Sequence, residues 1–152
     1  MNQKSNIYNM ICIGAGPSTI FSVLEHPKEN SLIIEKGKSV FTRDKKEVLF
    51  GFAGAGCWSD SKLICFGRSE TLRPGMDFNK YADKVLAWYN HFTDDKMVWK
   101  EVDSYEIPSQ ELKLIKSKNC HVGTDRSQLI FQRIEKSIID IMNITSSFNS
   151  TL

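Results

Sequence analysis

The residues best placed to do chemistry stand near the amino end. Gly14 and Gly16 open a Gly-x-Gly-x-x-Thr turn closed by Thr19, and Glu35 follows 21 residues after Gly14. A first glycine lets a strand turn sharply into a helix. A second lets the backbone approach a pyrophosphate, while the helix amino terminus offers N–H groups and the positive end of its dipole. Thr19 stands where the dinucleotide fingerprint carries a third glycine for close helix–strand packing. An acidic residue about 20 positions on accepts hydrogen bonds from a ribose hydroxyl, and Glu35 has that spacing. Its charge also disfavours the extra phosphate of NADP. The plainer reading is a sharp turn beside a surface strand end.

Few other residues compete for a chemical role. Cys12, Cys57, Cys65 and Cys120 form no Cys-x-x-Cys pair, and His26, His91 and His121 complete no metal-ligand pattern with them. Reduced cysteines serving as small core residues are expected, with no metal site and no identifiable catalytic residue. Of the three tryptophans, only Trp58 lies beside a glycine-rich loop.

The elements that must position the turn are legible around it. Ile7 to Ile13 is short and apolar, a buried strand bounded by Gly14. From Ser18, the spacing of Ile20, Phe21, Val23 and Leu24 predicts a helix, ended by His26-Pro27. Ser31 to Glu35 is a second buried strand, so residues 7–35 form a βαβ unit with parallel strands. A basic, solvated loop follows, then a glycine-rich passage over 51–63. A helix is expected over 79–92, with one or two strands within 97–118, around Pro108. His121 to Arg126 is a loop with Thr124 or Asp125 as helix cap. Ile130, Ile134, Ile138 and Ile141 make a helical stripe, and residues 144–152 a third strand.

Composition excludes whole classes. With 152 residues, 41% hydrophobic and a net charge of +2, the chain is neither low-complexity nor disordered and carries no broad basic field for nucleic acid. No apolar run approaches the ~18 residues of a membrane span, and the leading segment lacks a signal-peptide pattern. A cytoplasmic protein with neither a nucleic-acid nor a membrane partner is expected.

Gly14-Ala15-Gly16-Pro17 with Glu35-Lys36-Gly37 resembles the FAD-binding start of the two-dinucleotide-binding flavoproteins. Two further segments narrow the likeness. Gly51-Phe52-Ala53-Gly54-Ala55-Gly56-Cys57-Trp58-Ser59-Asp60-Ser61-Lys62-Leu63 resembles the G-x-G-G-A-G-x-x-S-D-G-K-L segment of the FAD-dependent dehydrogenases, and His121-Val122-Gly123-Thr124-Asp125-Arg126 is similar to their H-I-G-T-D-[KR] segment. The resemblance implies an α/β fold: a partial, truncated Rossmann-like FAD/NAD(P)-binding domain with a three-stranded parallel core. It also implies FAD as cofactor and flavin-mediated hydride transfer. Gly14, Ala15, Gly16 and Pro17 would hold the pyrophosphate. Glu35 would hold the adenosine ribose, with Lys36 in the same segment, and Arg43 would touch the cofactor or cover its loop. Gly54, Ala55 and Gly56 would face the flavin half, with Ser59, Asp60 and Lys62 near it. His121 and Asp125 would lie where the chain returns toward the cofactor.

The departures are Thr19, Ala53 and Ser61, each standing where the family carries glycine. The resemblance covers only the amino-terminal part of a family member, without the later Gly-Asp motif. A fragment, a degraded copy or a subunit completed by a separate chain is therefore expected. The alternatives to an oxidoreductase are a non-catalytic nucleotide-binding module and an interaction protein that keeps the βαβ fold alone.

Overall fold

A computed structural model describes residues 7–27, 30–44, 46–66, 74–101, 117–142 and 145–148. The chain divides into two compact units, the first formed by Met1–Ser59 with Thr124–Leu152 and the second by Asp60–Gly123.

In the first unit, strand β1 (Met10–Ile13) leads through the glycine turn into helix α1 (Pro17–Glu25), and β2 (Ser31–Glu35) returns parallel to β1 with Ile11 beside Leu32 and Ile13 beside Ile34. Strand β6 (Thr145–Phe148) runs parallel to β2 on its other side. The α1 side chains Ile20, Val23 and Leu24 are buried, as the sequence spacing predicts. Helix α3 (Thr124–Met142) presents Ser127, Ile130, Phe131, Ile134, Glu135 and Ile138 to the interior, each no more than 1% exposed. These positions recur at helical spacing and trace one face. Along β2, Ser31, Ile33 and Glu35 are buried. Neighbours in register share a face, so Ile11 and Ile13, 57% and 72% exposed, lie on the opposite side of the sheet with Leu32 and Ile34.

In the second unit, β3 (Lys62–Phe66) pairs antiparallel with β5 (Ser117–His121), which also pairs antiparallel with the short β4 (Lys100–Glu101). Helix α2 (Phe78–His91) begins at Asp77, whose carboxylate accepts the Lys80 amide at 3.1 Å. Its buried side chains are Leu86 and Tyr89.

The architecture is α/β, with one parallel sheet, one antiparallel sheet and three helices among the described residues. The antiparallel sheet departs from the expectation of a parallel core alone. The end of the glycine-rich passage, Lys62 and Leu63, is strand rather than loop, and His121 closes β5 rather than opening a loop. Thr124 and Asp125 lie within the first turn of α3. Of the one or two strands expected within 97–118, β4 and the first residues of β5 are described, while residues 102–116 and the side chain of Ile141 fall outside the described residues.

Candidate functional site

The first unit gathers two glycine loops. At the end of β1, Gly14 takes φ +87° and donates its amide to the Ile34 carbonyl at 2.7 Å. A side chain is strained at that φ, so glycine is required for the turn itself. The next amide, Ala15, donates to Glu35 Oε2 at 2.7 Å, and the Gly37 amide donates to Oε1 at 2.8 Å. Glu35 is only 7% exposed, and its carboxylate thus organises the turn it was expected to serve. Each oxygen keeps a lone pair for a further donor.

Gly16 precedes α1 with extended backbone (φ −73°, ψ 174°), and no side chain caps the helix. Pro17 at the first position has no amide, which leaves Ser18 and Thr19 as first-turn donors. A Cβ added at Gly14 or Gly16 would meet nothing within 4 Å. The turn is therefore an open cradle rimmed by helix-terminal N–H groups, the arrangement that suits an anion.

The second loop bonds to the first, since the Ala53 amide donates to the Ala15 carbonyl at 2.8 Å. Here the packing is close. A Cβ on Gly37 would fall 2.4 Å from the Gly51 nitrogen, and one on Gly51, at φ +101°, would fall 2.7 Å from the Lys38 oxygen. Arg43 ties the loop together. Its Nη1 donates to the carbonyls of Phe52 (2.7 Å) and Gly54 (2.9 Å), and its Nη2 to those of Glu47 (2.7 Å) and Val48 (3.0 Å). From α3, Ser127 Oγ donates to the Gly56 carbonyl at 2.8 Å, and Glu135 Oε2 accepts the Val40 amide at 2.9 Å.

Electrostatics follow from burial. Desolvation lowers the Arg43 pKa, opposed by the nearby Cys57, Glu35, Glu47 and Glu135. Desolvation raises that of Glu135, against the hydrogen bonds from Ser39 and Val40 and the charge of Arg43. Burial pushes the Cys57 thiol up to about 11, which keeps it protonated and unreactive at neutral pH. Arg43 Nε, Trp58 Nε1 and Glu135 Oε1 are buried without a hydrogen-bond partner.

The remaining candidates sit elsewhere. Asp60 and Lys62 belong to the second unit, where the Asp60 carboxylate binds His121 Nε2 through one oxygen and Lys62 Nζ, at 3.3 Å, through the other. The hydrogen bond from His121 and then Lys62 hold the Asp60 carboxyl below its usual pKa. In the same place the Gly123 amide donates to the Asp60 carbonyl and the Val122 amide to the Ser61 carbonyl, each at 3.0 Å. Lys36, Ala55, Ser59 and Asp125 are exposed.

The structure thus joins Gly14–Pro17, Glu35 and Gly54–Gly56 in one unit and Asp60, Lys62 and His121 in the other. Both terminal nitrogens of Arg43 are engaged by backbone carbonyls. Sequence reasoning missed Glu135 and Ser127, although both fall on the buried stripe of α3. A polar residue in step with Ile130, Ile134 and Ile138 is a signal of a buried hydrogen bond. A scan against protein-family models finds no match, and neither do searches of curated proteins and of solved structures.

Proposed function

We propose that the first unit is the nucleotide-holding part of an FAD-dependent oxidoreductase, with Gly14 to Pro17 as the pyrophosphate cradle and Glu35 as the ribose acceptor. The observation that carries this reading is the open space at Gly16, set before an uncapped helix terminus and beside a fixed carboxylate. These residues fit the group. The Ser18 and Thr19 amides are donors for phosphate oxygens, and the spare lone pairs of Glu35 suit ribose hydroxyls. Arg43 contributes by holding the Gly51–Cys57 loop in shape.

Two of the family's glycine positions lend further support. Ala53 and Ser61 adopt φ +68° and +43°, and both stand where the dehydrogenase motif carries glycine. A backbone that demands left-handed φ at those two places accounts for glycine in the family motif. Bound FAD would supply hydride exchange with a substrate. The protein's part is to bind and orient the cofactor and to shape the electrostatics around it.

A nucleotide-binding module without turnover is the second reading. It is favoured by the engagement of Glu35 with two backbone amides, which makes its carboxylate a holding group rather than a base.

The test is a titration of the purified chain with FAD, NAD and ADP, followed by flavin fluorescence and melting temperature. Each tenfold of ligand excess over Kd adds about 1.4 kcal/mol of stability. FAD is expected to raise the melting temperature and to lose that effect in Gly16→Asp. A folded chain indifferent to all three ligands overturns both readings.

A further inference from the structure

We propose that the loop between Lys38 and Phe52 is a docking tip for an anionic lipid surface. The first unit closes this loop at its neck, where the Phe52 amide donates to the Lys38 carbonyl at 3.0 Å and Gly37 lies against the Gly51 backbone. A surface loop with joined ends and its own side chains inside is an Ω-loop. This one is filled the wrong way for water. Arg43, 6% exposed, lies inside, while Phe41, Leu49 and Phe50 stand outside at 58%, 79% and 47%. Single exposed apolar residues are ordinary on a protein surface. A buried cation together with three large exposed apolar side chains in one short loop is not.

The inside of the loop suits what its outside would enter. A backbone that meets the apolar boundary of a membrane loses water as a partner, so its carbonyls need donors from within the protein. Arg43 supplies them to Glu47, Val48, Phe52 and Gly54. The acids of the loop are engaged too. The Asp44 carboxylate accepts the Lys46 amide at 2.7 Å, and the Glu47 carboxylate pairs with Lys38 at 3.1 Å. Charge completes the match. Residues 36–50 hold five bases against two acids, more net positive charge than the +2 of the whole chain. Of these bases, Lys36 and Lys46 are exposed. Apolar side chains flanked by lysines fit the headgroup boundary of an anionic bilayer. Side chains exposed to this degree line no groove that would hold a peptide. No described helix is long and apolar enough to cross a membrane, so the contact is peripheral. The expectation of no membrane partner rested on the missing span, which such a contact does not need.

The experiment is co-sedimentation of the full chain with vesicles of phosphatidylcholine alone and of phosphatidylcholine with about a third phosphatidylserine. The mixed vesicles are expected to bind at least about tenfold more tightly, and high salt should remove that difference. Lys46→Gln should weaken binding about fivefold, the share of one surface lysine. The double variant Leu49→Ser with Phe50→Ser should weaken it at least about tenfold while leaving the melting temperature unchanged, since both side chains are exposed. In Leu49→Trp, the added tryptophan emission should shift to the blue with mixed vesicles alone. A chain that ignores mixed vesicles, or one whose binding neither variant weakens, overturns the docking tip. So does self-association without lipid that the double variant abolishes, which would make the loop a contact between copies of the chain. None of these readouts involves FAD.

Discussion

The two glycine loops of the first unit use the same residue for opposite ends. At Gly14 and Gly16 the missing side chain leaves space open to solvent, while at Gly37 and Gly51 it is filled by another stretch of backbone. Glycine in the first loop makes room for something that is not protein. Glycine in the second lets the chain pack against itself, and Arg43 binds the result through four carbonyls. The tight loop gives the open one a fixed wall, through the bond from the Ala53 amide to the Ala15 carbonyl.

Mutation should separate the two uses. Arg43→Met leaves four carbonyls without their donor and is expected to cost about 4 kcal/mol, read as the shift in urea midpoint. Gly37→Ala drives a methyl into the Gly51 backbone, for a loss of about 3 kcal/mol by the same measurement. Gly14→Ala meets no atom but must hold φ +87°, so a loss of about 1–2 kcal/mol is expected from strain alone. Gly16→Ala has both free space and an ordinary φ, so thermal stability should hold or rise by up to about 1 kcal/mol. That same methyl occupies the cradle and should abolish stabilisation by FAD. A Gly16→Ala chain that binds FAD as well as the wild type would place the nucleotide elsewhere.

The smallest effect concerns the carboxylate behind the tight loop. Glu135 has a raised pKa in the folded chain, so its favourable contribution is full below the ordinary glutamate value and is lost as pH rises through the folded one. Stability of the wild type should therefore decline over that window relative to Glu135→Gln. Urea unfolding of the two proteins at a series of pH values checks the divergence, on the order of 1 kcal/mol.

What the sequence made legible was whatever rests on local pattern. The apolar run of Ser31 to Glu35, the spacing of Ile20, Val23 and Leu24, and the stripe of Ile130, Ile134 and Ile138 each announced an element that the structure contains. Strand β5 escaped because Ser117-Lys118-Asn119-Cys120-His121 has no apolar alternation, and its pairing with β3 supplies what its own sequence does not. Of the site, the open turn and Glu35 could be read from spacing. That Glu35 would bind the turn's own amides, and that Arg43 would bind carbonyls, depended on residues brought close only by folding. The meeting of Asp60 with His121 across 61 positions was likewise invisible in either motif alone.

The first unit is built from two stretches of chain separated by the whole of the second, with α3 and β6 following it. A ribosome adds roughly 5–20 residues per second, so seconds pass between the emergence of β2 and that of α3. During that interval the Val40 amide and the Gly56 carbonyl await the helix whose Glu135 and Ser127 bind them. The second unit, whose residues are contiguous, meets no such delay. Synthesis thus sets an order of assembly in which the two glycine loops are translated before α3, the helix that binds the second of them through Ser127 and Glu135.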